Sequence, residues 1–356
     1  MRQRIEQVRK RMQHFNLHAF LITSLVNIRY LFGFTGSNAI ALIASDLCFL
    51  VTDRRYRRQV QTEVQDAEIL VAARDLFSEL PATLQPKTGF RLGFEAEHLP
   101  VKHYTNLTKL FPQIKFIASE RIVERIASVK DAGEIQSLRK AASIVCDVWH
   151  EVVELLRPGL REVELAVEIS YKTKIRSCER EPFAPIVASG PRSAMPHAQA
   201  SDKKMQAGEL VIVDFGAQVN GYVADFTRTC VLGKPTSTQA EMARIVTEAL
   251  FEAQNAVHAG MIGKDLDFVA REFIEQAGFG DGFQHSLGHG LGLELHALPR
   301  IGERSTDVVQ AGQVLALEPG IYLPNLGGVR VEDDFVVTAH GVENLTPISR
   351  ELVCVE

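Results

Sequence analysis

The sequence predicts an α/β (α+β) chain in two domains, the second assembled from two copies of one α-α-β unit related by a pseudo-twofold axis. Three observations lead there. The chain has 356 residues, more than a single hydrophobic core usually serves. Its N-terminal third alternates between helical and strand patterns, and the remainder repeats itself.

The alternation starts with helical spacing over 6–15. Apolar strands follow at 19–22, 39–43 and 48–51, and the pattern continues through Gly93. Residues 1–118 are therefore expected to form an α/β domain. The charged, helix-friendly stretch 119–138 is expected to link it to a second domain, 139–356. Within that link Asp131 and Glu134 have the spacing of an N-cap and an acidic first turn.

The repeat is visible residue by residue. Ile144-Val145 recurs as Ile245-Val246, Glu151 as Glu252 and Gly159 as Gly260, at a constant spacing of 101. Further on, Gln206 to Asp214 matches Gln310 to Glu318 at a spacing of 104, and each copy ends its strand in a carboxylate. Two helices per copy are implied. A unit of this size does not easily close its own core, so the halves should pack together and bring matching carboxylates to the axis.

The first copy fixes its own register. Two apolar strands flank Asn220-Gly221, the pair that best tolerates the positive φ angles of a two-residue type I′ turn. If Val219 opposes Tyr222, then Asp214 opposes Thr227. Asp225, two residues from Thr227, shares a face with Asp214. Adjacent carboxylates repel unless a proton or cation lies between them, and paired divalent ions meet that need. The second copy carries Glu318 and Glu332 around a longer turn, with Arg330 and Glu332 on one face and Val329, Val331 and Asp333 on the other.

Between the hairpins lies His285-Ser-Leu-Gly-His289-Gly-Leu-Gly-Leu-Glu-Leu-His296. A helical zinc motif is excluded, because Ser286 stands where its glutamate would be and Gly288, Gly290 and Gly292 oppose a helix. The glycines suit an extended segment with close backbone neighbours, and one imidazole complements an oxygen-rich metal site. No P-loop lysine follows them, which removes a phosphate cradle. His197 ends a turn-rich loop, Ala188 to His197.

Composition narrows the class further. An apolar fraction of 46% with 23% charged residues is that of a soluble globular chain, and a net charge of -5 gives no reason to expect nucleic acid or an anionic membrane as partner. Cys48, Cys146, Cys178, Cys230 and Cys354 are scattered and form no C-x-x-C pair, so buried free thiols are expected. The N-terminal MRQRIEQVRKRM lacks the apolar core of a secretory signal, and no apolar run approaches the roughly 18 residues of a membrane span. A reducing, cytoplasmic setting is the expectation.

Together these residues resemble the pita-bread-fold metallopeptidases, the family holding methionine aminopeptidase, aminopeptidase P and prolidase. The likeness spans essentially the whole chain. It is carried by Ile186 to Gly190, Pro196-His197, Val213 to Gly216, Asp225 to Thr229, His285-x-x-x-His289-Gly-x-Gly292, Glu318 to Tyr322, and Arg330-Val331-Glu332-Asp333. The resemblance implies that the metal ligands are Asp214, Asp225, His289, Glu318 and Glu332, and that the first domain is creatinase-like. One departure is Ala297, at a position often acidic in that family, which bears on the tuning of His296.

The resemblance further implies two divalent ions, manganese or cobalt, with zinc admissible. Asp214 and Glu332 would bridge them, Asp225 would complete one, and His289 with Glu318 the other, around a hydroxide nucleophile. Glu318 would move the proton, and His197 and His296 would serve the oxyanion and leaving group. Arg330 would orient Glu332 or meet a substrate carboxylate, and His285 joins the catalytic set without an assigned step. The implied substrate is a peptide with proline at its second position, and the implied assembly a homodimer. An aminopeptidase P-like exopeptidase is the first reading and an Xaa-Pro dipeptidase the alternative. Methionine aminopeptidase activity would lack the creatinase-like domain. Metal-free creatinase chemistry and an inactive interaction module both sit poorly with a complete ligand set.

Overall fold

The apolar runs of the N-terminal third become one six-stranded sheet. Its strands are β1 (Ala19–Ile22), β2 (Ala39–Ala44), β3 (Cys48–Asp53), β4 (Glu68–Ala72), β5 (Arg91–Glu95) and β6 (Lys115–Ser119), in the order β4-β3-β2-β1-β5-β6. Around them run helices α1 (Arg2–His14), α2 (Leu25–Phe32), α3 (Arg57–Glu63), α4 (Val101–Leu110) and α5 (Ile122–Ala127). The computed structural model describes residues 1–80 and 89–356. The chain divides into two units, Met1–Ala127 and Ser128–Glu356.

The stretch 119–138 is not one linking helix. Helix α5 closes the first unit, and α6 (Ala132–Val152) opens the second. The cap explains the break. Asp131 is extended and accepts the Glu134 amide at 2.9 Å, while Glu134 accepts the Asp131 amide at 2.9 Å. A residue in that conformation starts a helix and cannot lie inside one.

In the second unit each repeat contributes two helices. The first copy has α6 and α7 (Glu162–Ile175), and the second α8 (Ser237–Ala256) and α9 (Gly263–Gln276). The first pair packs on β7 (Ile186–Ser189), β8 (Leu210–Val219) and β9 (Tyr222–Leu232) through Leu138, Val145, Trp149, Leu165, Val213 and Phe226. The second pair covers β10 (Gly288–Gly290), β11 (Ala297–Ile301), β12 (Val314–Leu317), β13 (Gly320–Leu323), β14 (Gly327–Arg330), β15 (Asp333–Thr338) and β16 (Gly341–Asn344) through a core that includes Met242, Leu250, Leu266, Leu315 and Phe335. A last strand, β17 (Val353–Val355), runs parallel to β9.

The predicted hairpin register is observed. Val219 opposes Tyr222, Asp214 opposes Thr227 and Gly216 opposes Asp225, with Asn220 and Gly221 at φ 52° and 87°. The second hairpin is interrupted. One ladder pairs Leu317 with Asp333 and the other pairs Gly320 with Arg330, which leaves Glu318-Pro319 and Val331-Glu332 outside both. Pro319 has no N–H to donate, so the ladder breaks there.

The glycines around His289 are held to that identity by their neighbours. A Cβ on Gly288 would lie 2.0 Å from the Ala316 carbonyl oxygen, and one on Gly290 would lie 2.1 Å from that of Leu298. All five cysteines are free. Cys48, Cys178 and Cys230 are buried, Cys146 is partly covered and Cys354, contrary to the expectation of burial, is exposed on the last strand. Among the described residues no helix is long and apolar enough to cross a membrane.

Because β10 is squeezed between β11 and β12, Gly288→Ala should lower stability by about 2 kcal/mol or more. Urea unfolding midpoints of the two proteins measure it; an unchanged midpoint would show that the backbone can part without loss.

Candidate metal centre

The two hairpins meet where β9 passes the break in the second. Thr227 and Glu332 form an isolated bridge, the Glu332 amide donating to the Thr227 carbonyl at 3.1 Å. Thr229 and Arg330 exchange two further bonds, Thr229 Oγ1 to the Arg330 carbonyl at 2.9 Å and the Arg330 amide back to Thr229 Oγ1 at 3.1 Å. The break frees Glu318 and Glu332 to face the aspartates of the first copy.

Asp225, His289 and Glu332 each present a ligand atom, all within 4.8 Å of one another. Glu318 joins them, its Oε1 3.7 Å from His289 Nε2, and Asp225 Oδ2 lies 3.9 Å from that nitrogen. Asp214 completes the group through Arg330, which donates Nη2–H to its Oδ2. All five residues named as ligands therefore converge, with His289 sitting as near to Asp225 as to Glu318.

The electrostatics of this cluster are unfavourable as it stands. Burial raises the pKa of Asp225 well above the carboxylate range, and the charges of Asp214, Asp334 and Glu318 add to it. Burial likewise raises Glu332, reinforced by Asp225, Glu318 and Asp214. Asp214 is raised by burial against the opposing pull of Arg330, and Glu318 rises to about 7, also through burial. Asp214 Oδ1 and Glu332 Oε1 are buried without a hydrogen-bond partner among the described residues. Orphaned, mutually repelling carboxylate oxygens are the donor set that hard divalent cations take. His289 fits as well. Its Nδ1 lies 3.0 Å from the Gly290 carbonyl and so carries the proton, which leaves the Nε2 lone pair toward the carboxylates. Burial also lowers its pKa to about 4, keeping the ring neutral.

The other predicted residues divide. His197 and His296 are exposed at the rim of two adjoining cavities, of about 590 Å³ and 310 Å³, that both reach His289, Glu318 and Arg330. The His296 ring stands edge-on to His289 with centroids 4.5 Å apart. His285 is different. Its Nδ1 lies 2.8 Å from the Ser286 carbonyl and its Nε2 2.9 Å from the Tyr322 hydroxyl, so both nitrogens are occupied and the ring holds Tyr322 in place.

Arg330 is buried and makes four side-chain hydrogen bonds. Besides Asp214 it donates to the Tyr322 hydroxyl at 2.9 Å, the Pro196 carbonyl at 3.1 Å and Thr227 Oγ1 at 3.3 Å. It reaches Glu332 only through Thr227, whose hydroxyl donates to Glu332 Oε2 at 2.7 Å. The Arg330 side chain also lines both cavities.

Residues outside the predicted set also border the site. His289 and Arg300 are opposed across β10 and β11, so their side chains share a face, and a bulge follows His289. Arg300 is exposed, lines the smaller cavity, and among the described residues pairs with no carboxylate. Asp334 accepts the Asp225 amide at 3.0 Å, while Asp333 turns away to Arg228 and Arg350, each at 2.7 Å. The acidic run after Glu332 hinted at Asp334; nothing in the local sequence marked Arg300.

Residues 136–339 match Metallopeptidase family M24, and residues 4–129 match the Creatinase/Prolidase N-terminal domain. The Xaa-Pro dipeptidase of Pyrococcus furiosus is 36% identical, over 99% of this chain and 100% of that one. Among solved structures, an Xaa-Pro dipeptidase from Bacillus anthracis superposes with TM-score 0.94 at 34% identity, covering 99% of each chain. An X-Pro aminopeptidase from Thermotoga maritima gives 0.87 at 36% identity, covering 97% of this chain and 100% of that one. With five candidate ligand residues converged at the seam of a duplicated fold, and with both domains matched, the chain belongs to metallopeptidase family M24 and is a metallo-exopeptidase.

Proposed function

We propose that the chain is an Xaa-Pro dipeptidase, cleaving the bond before proline in dipeptides and using two divalent ions held by Asp214, Asp225, His289, Glu318 and Glu332. Manganese or cobalt suits four oxygen donors and one nitrogen. The observation that carries the dipeptidase reading is Arg300. Its unpaired guanidinium shares a face with His289 and lines the cavity that His197, His296 and Arg330 also border. A free carboxylate directly after the cleaved bond, which only a dipeptide has, is the natural partner of such a group. The sequence alone favours an aminopeptidase; the relatives weigh toward dipeptidases, and Arg300 points the same way. The aminopeptidase reading keeps one support, the Thermotoga maritima structure.

Divalent ions held by these residues would supply a water ionised near neutral pH and a polarised carbonyl. The protein supplies the rest. Glu318, the most open of the four carboxylates, would take the water proton at a carboxylate oxygen and return it to the leaving proline nitrogen. His197 and His296 present ring N–H groups to the carbonyl oxygen as it gains charge. Arg330 holds Asp214 in place, and Tyr322 and His285 hold Arg330. The larger cavity, walled by Ala166, Val167, Phe183, Pro185, Ile186 and Leu295, accommodates the first residue's side chain. Such a peptidase suits a cytoplasmic homodimer.

The decisive assay compares Ala-Pro with Ala-Pro-Ala in the presence of manganese. Ala-Pro should show a kcat/KM at least about 10-fold higher; the reverse order would establish the aminopeptidase reading, and no turnover of either would reject both. In Arg300→Met, KM for Ala-Pro should rise by about 10-fold or more with kcat little changed, as expected for a lost charge-assisted contact.

A further test concerns the cluster itself. Raised carboxyl pKa values favour folding while the groups are protonated, and this contribution disappears as they ionise. Metal-free protein should therefore lose melting temperature as the pH rises from about 5 to about 8, through the region where Glu318 titrates. Manganese should restore it, most at the upper end. A melting temperature that stays flat without metal would count against cation binding by these groups.

A further inference from the structure

Glu162 is the first residue of α7, and its side chain is wholly enclosed, with 0% exposed. It does not serve its own helix. That task falls to Glu164, which accepts the Arg161 amide at 2.8 Å. The Glu162 carboxylate turns instead to a loop from elsewhere in the chain. Its Oε1 accepts Ser189 N–H at 2.8 Å and Ser189 Oγ at 2.9 Å, and its Oε2 accepts Ser201 N–H at 3.1 Å and Ser201 Oγ at 2.6 Å. Arg192 Nε lies 3.3 and 3.0 Å from the two oxygens and neutralises the charge.

Ser189 ends β7 and Ser201 stands beyond His197, so one buried carboxylate ties together both ends of the loop that carries this histidine. The middle of the loop is fastened to the metal centre. The Pro196 carbonyl accepts Arg330 Nη1–H at 3.1 Å, and Ser193 Oγ accepts the Gly328 amide at 2.8 Å. The His197 ring itself makes no hydrogen bond among the described residues, and it faces the cavity. Its place over the carboxylates is thus decided by where the loop is held and not by a hydrogen bond of its own.

The second half carries a similar device. Asp267, buried on α9, accepts the Leu287 amide at 2.8 Å and pairs with Arg271 at 2.7 Å. Arg271 donates to the Phe283 carbonyl at 3.1 Å and the His285 carbonyl at 2.8 Å. In each half a helix-borne carboxylate with an arginine fixes the segment that presents a histidine.

We propose that Glu162 is a positioning residue for catalysis: its buried carboxylate clamps residues 189–201 so that His197 stands over the metal ligands. The catalytic part of this rests on the role given above to His197.

The test is Glu162→Gln, whose amide places a donor where one oxygen now accepts. Hydrogen exchange of the amides over 189–201 should accelerate by about 10-fold or more, with that of α6 and α8 unchanged. With Ala-Pro as substrate kcat should fall by about 10- to 100-fold while KM stays within about twofold and bound manganese is unaltered. The double variant Glu162→Gln/His197→Ala should be within about threefold of His197→Ala alone, because the two substitutions remove one function. Ser201→Ala, which deletes one donor and leaves the charge, should give the same pattern in milder form and stands in if Glu162→Gln does not fold. Glu162→Asp should recover part of the lost kcat. Unchanged exchange over 189–201 overturns the clamp whether or not the wild-type protein cleaves Xaa-Pro. Losses that multiply in the double variant overturn the link to His197, and absence of wild-type turnover rejects the functional reading without touching the exchange result.

Discussion

Three buried carboxylates, a fourth that is partly open and one neutral imidazole share a space in which no single oxygen is far from another's charge, and most of the second unit is arranged to tolerate this. At an effective dielectric of about 20, two unit charges 4 Å apart repel by about 4 kcal/mol, so several together outweigh the margin that keeps a domain folded. Protons relieve the repulsion at low pH and cations at neutral pH. The raised pKa values of Asp225, Glu332, Asp214 and Glu318 and the orphaned oxygens of Asp214 and Glu332 are two expressions of the same unmet demand.

Around the cluster the protein has placed buried arginines whose work is geometric. Arg330 ties Asp214, Thr227, Tyr322 and the His197 loop to one planar group. Arg228, only 1% exposed, binds the carbonyls of Thr227, Glu332, Ile348 and Ser349 and pairs with Asp333, fixing the backbone on the far side. Buried ion pairs of this kind add little net stability, since desolvation offsets most of their attraction. Removing one partner is costly, however, so the frame resists distortion when substrate or metal exchanges.

Duplication supplied the carboxylates, and asymmetry between the copies gave them different characters. The first hairpin is continuous, and Asp214 and Asp225 project from an unbroken ladder. The second breaks at Pro319, which leaves Glu318 with 22% of its side chain open while Glu332 is pressed against Thr227. The more open carboxylate is the one suited to exchanging a proton with substrate. The same principle governs the glycines of β10: only residues without a Cβ let that strand lie close enough to its neighbours for His289 and Arg300 to share a face.

Much of this was legible in the residues alone. The Asn220-Gly221 turn set the first hairpin's register, because a two-residue turn leaves the strands no other pairing and side chains alternate strictly. The repeat identified Glu318 and Glu332, and Asp131 with Glu134 located the start of α6. The contacts of Arg300, Tyr322 and Glu162 were not legible, nor were those of Arg330 with Asp214 and of His285 with Tyr322. Each depends on a partner from a distant segment: Arg300 on a bulged strand pair, His285 on Tyr322, Glu162 on two serines that bracket a loop. Turn geometry and alternation are written into neighbouring residues, so sequence determined which side chains face the axis. Charge, burial and free donors belong to the space those residues enclose, and only the folded chain decided which groups remain available for chemistry.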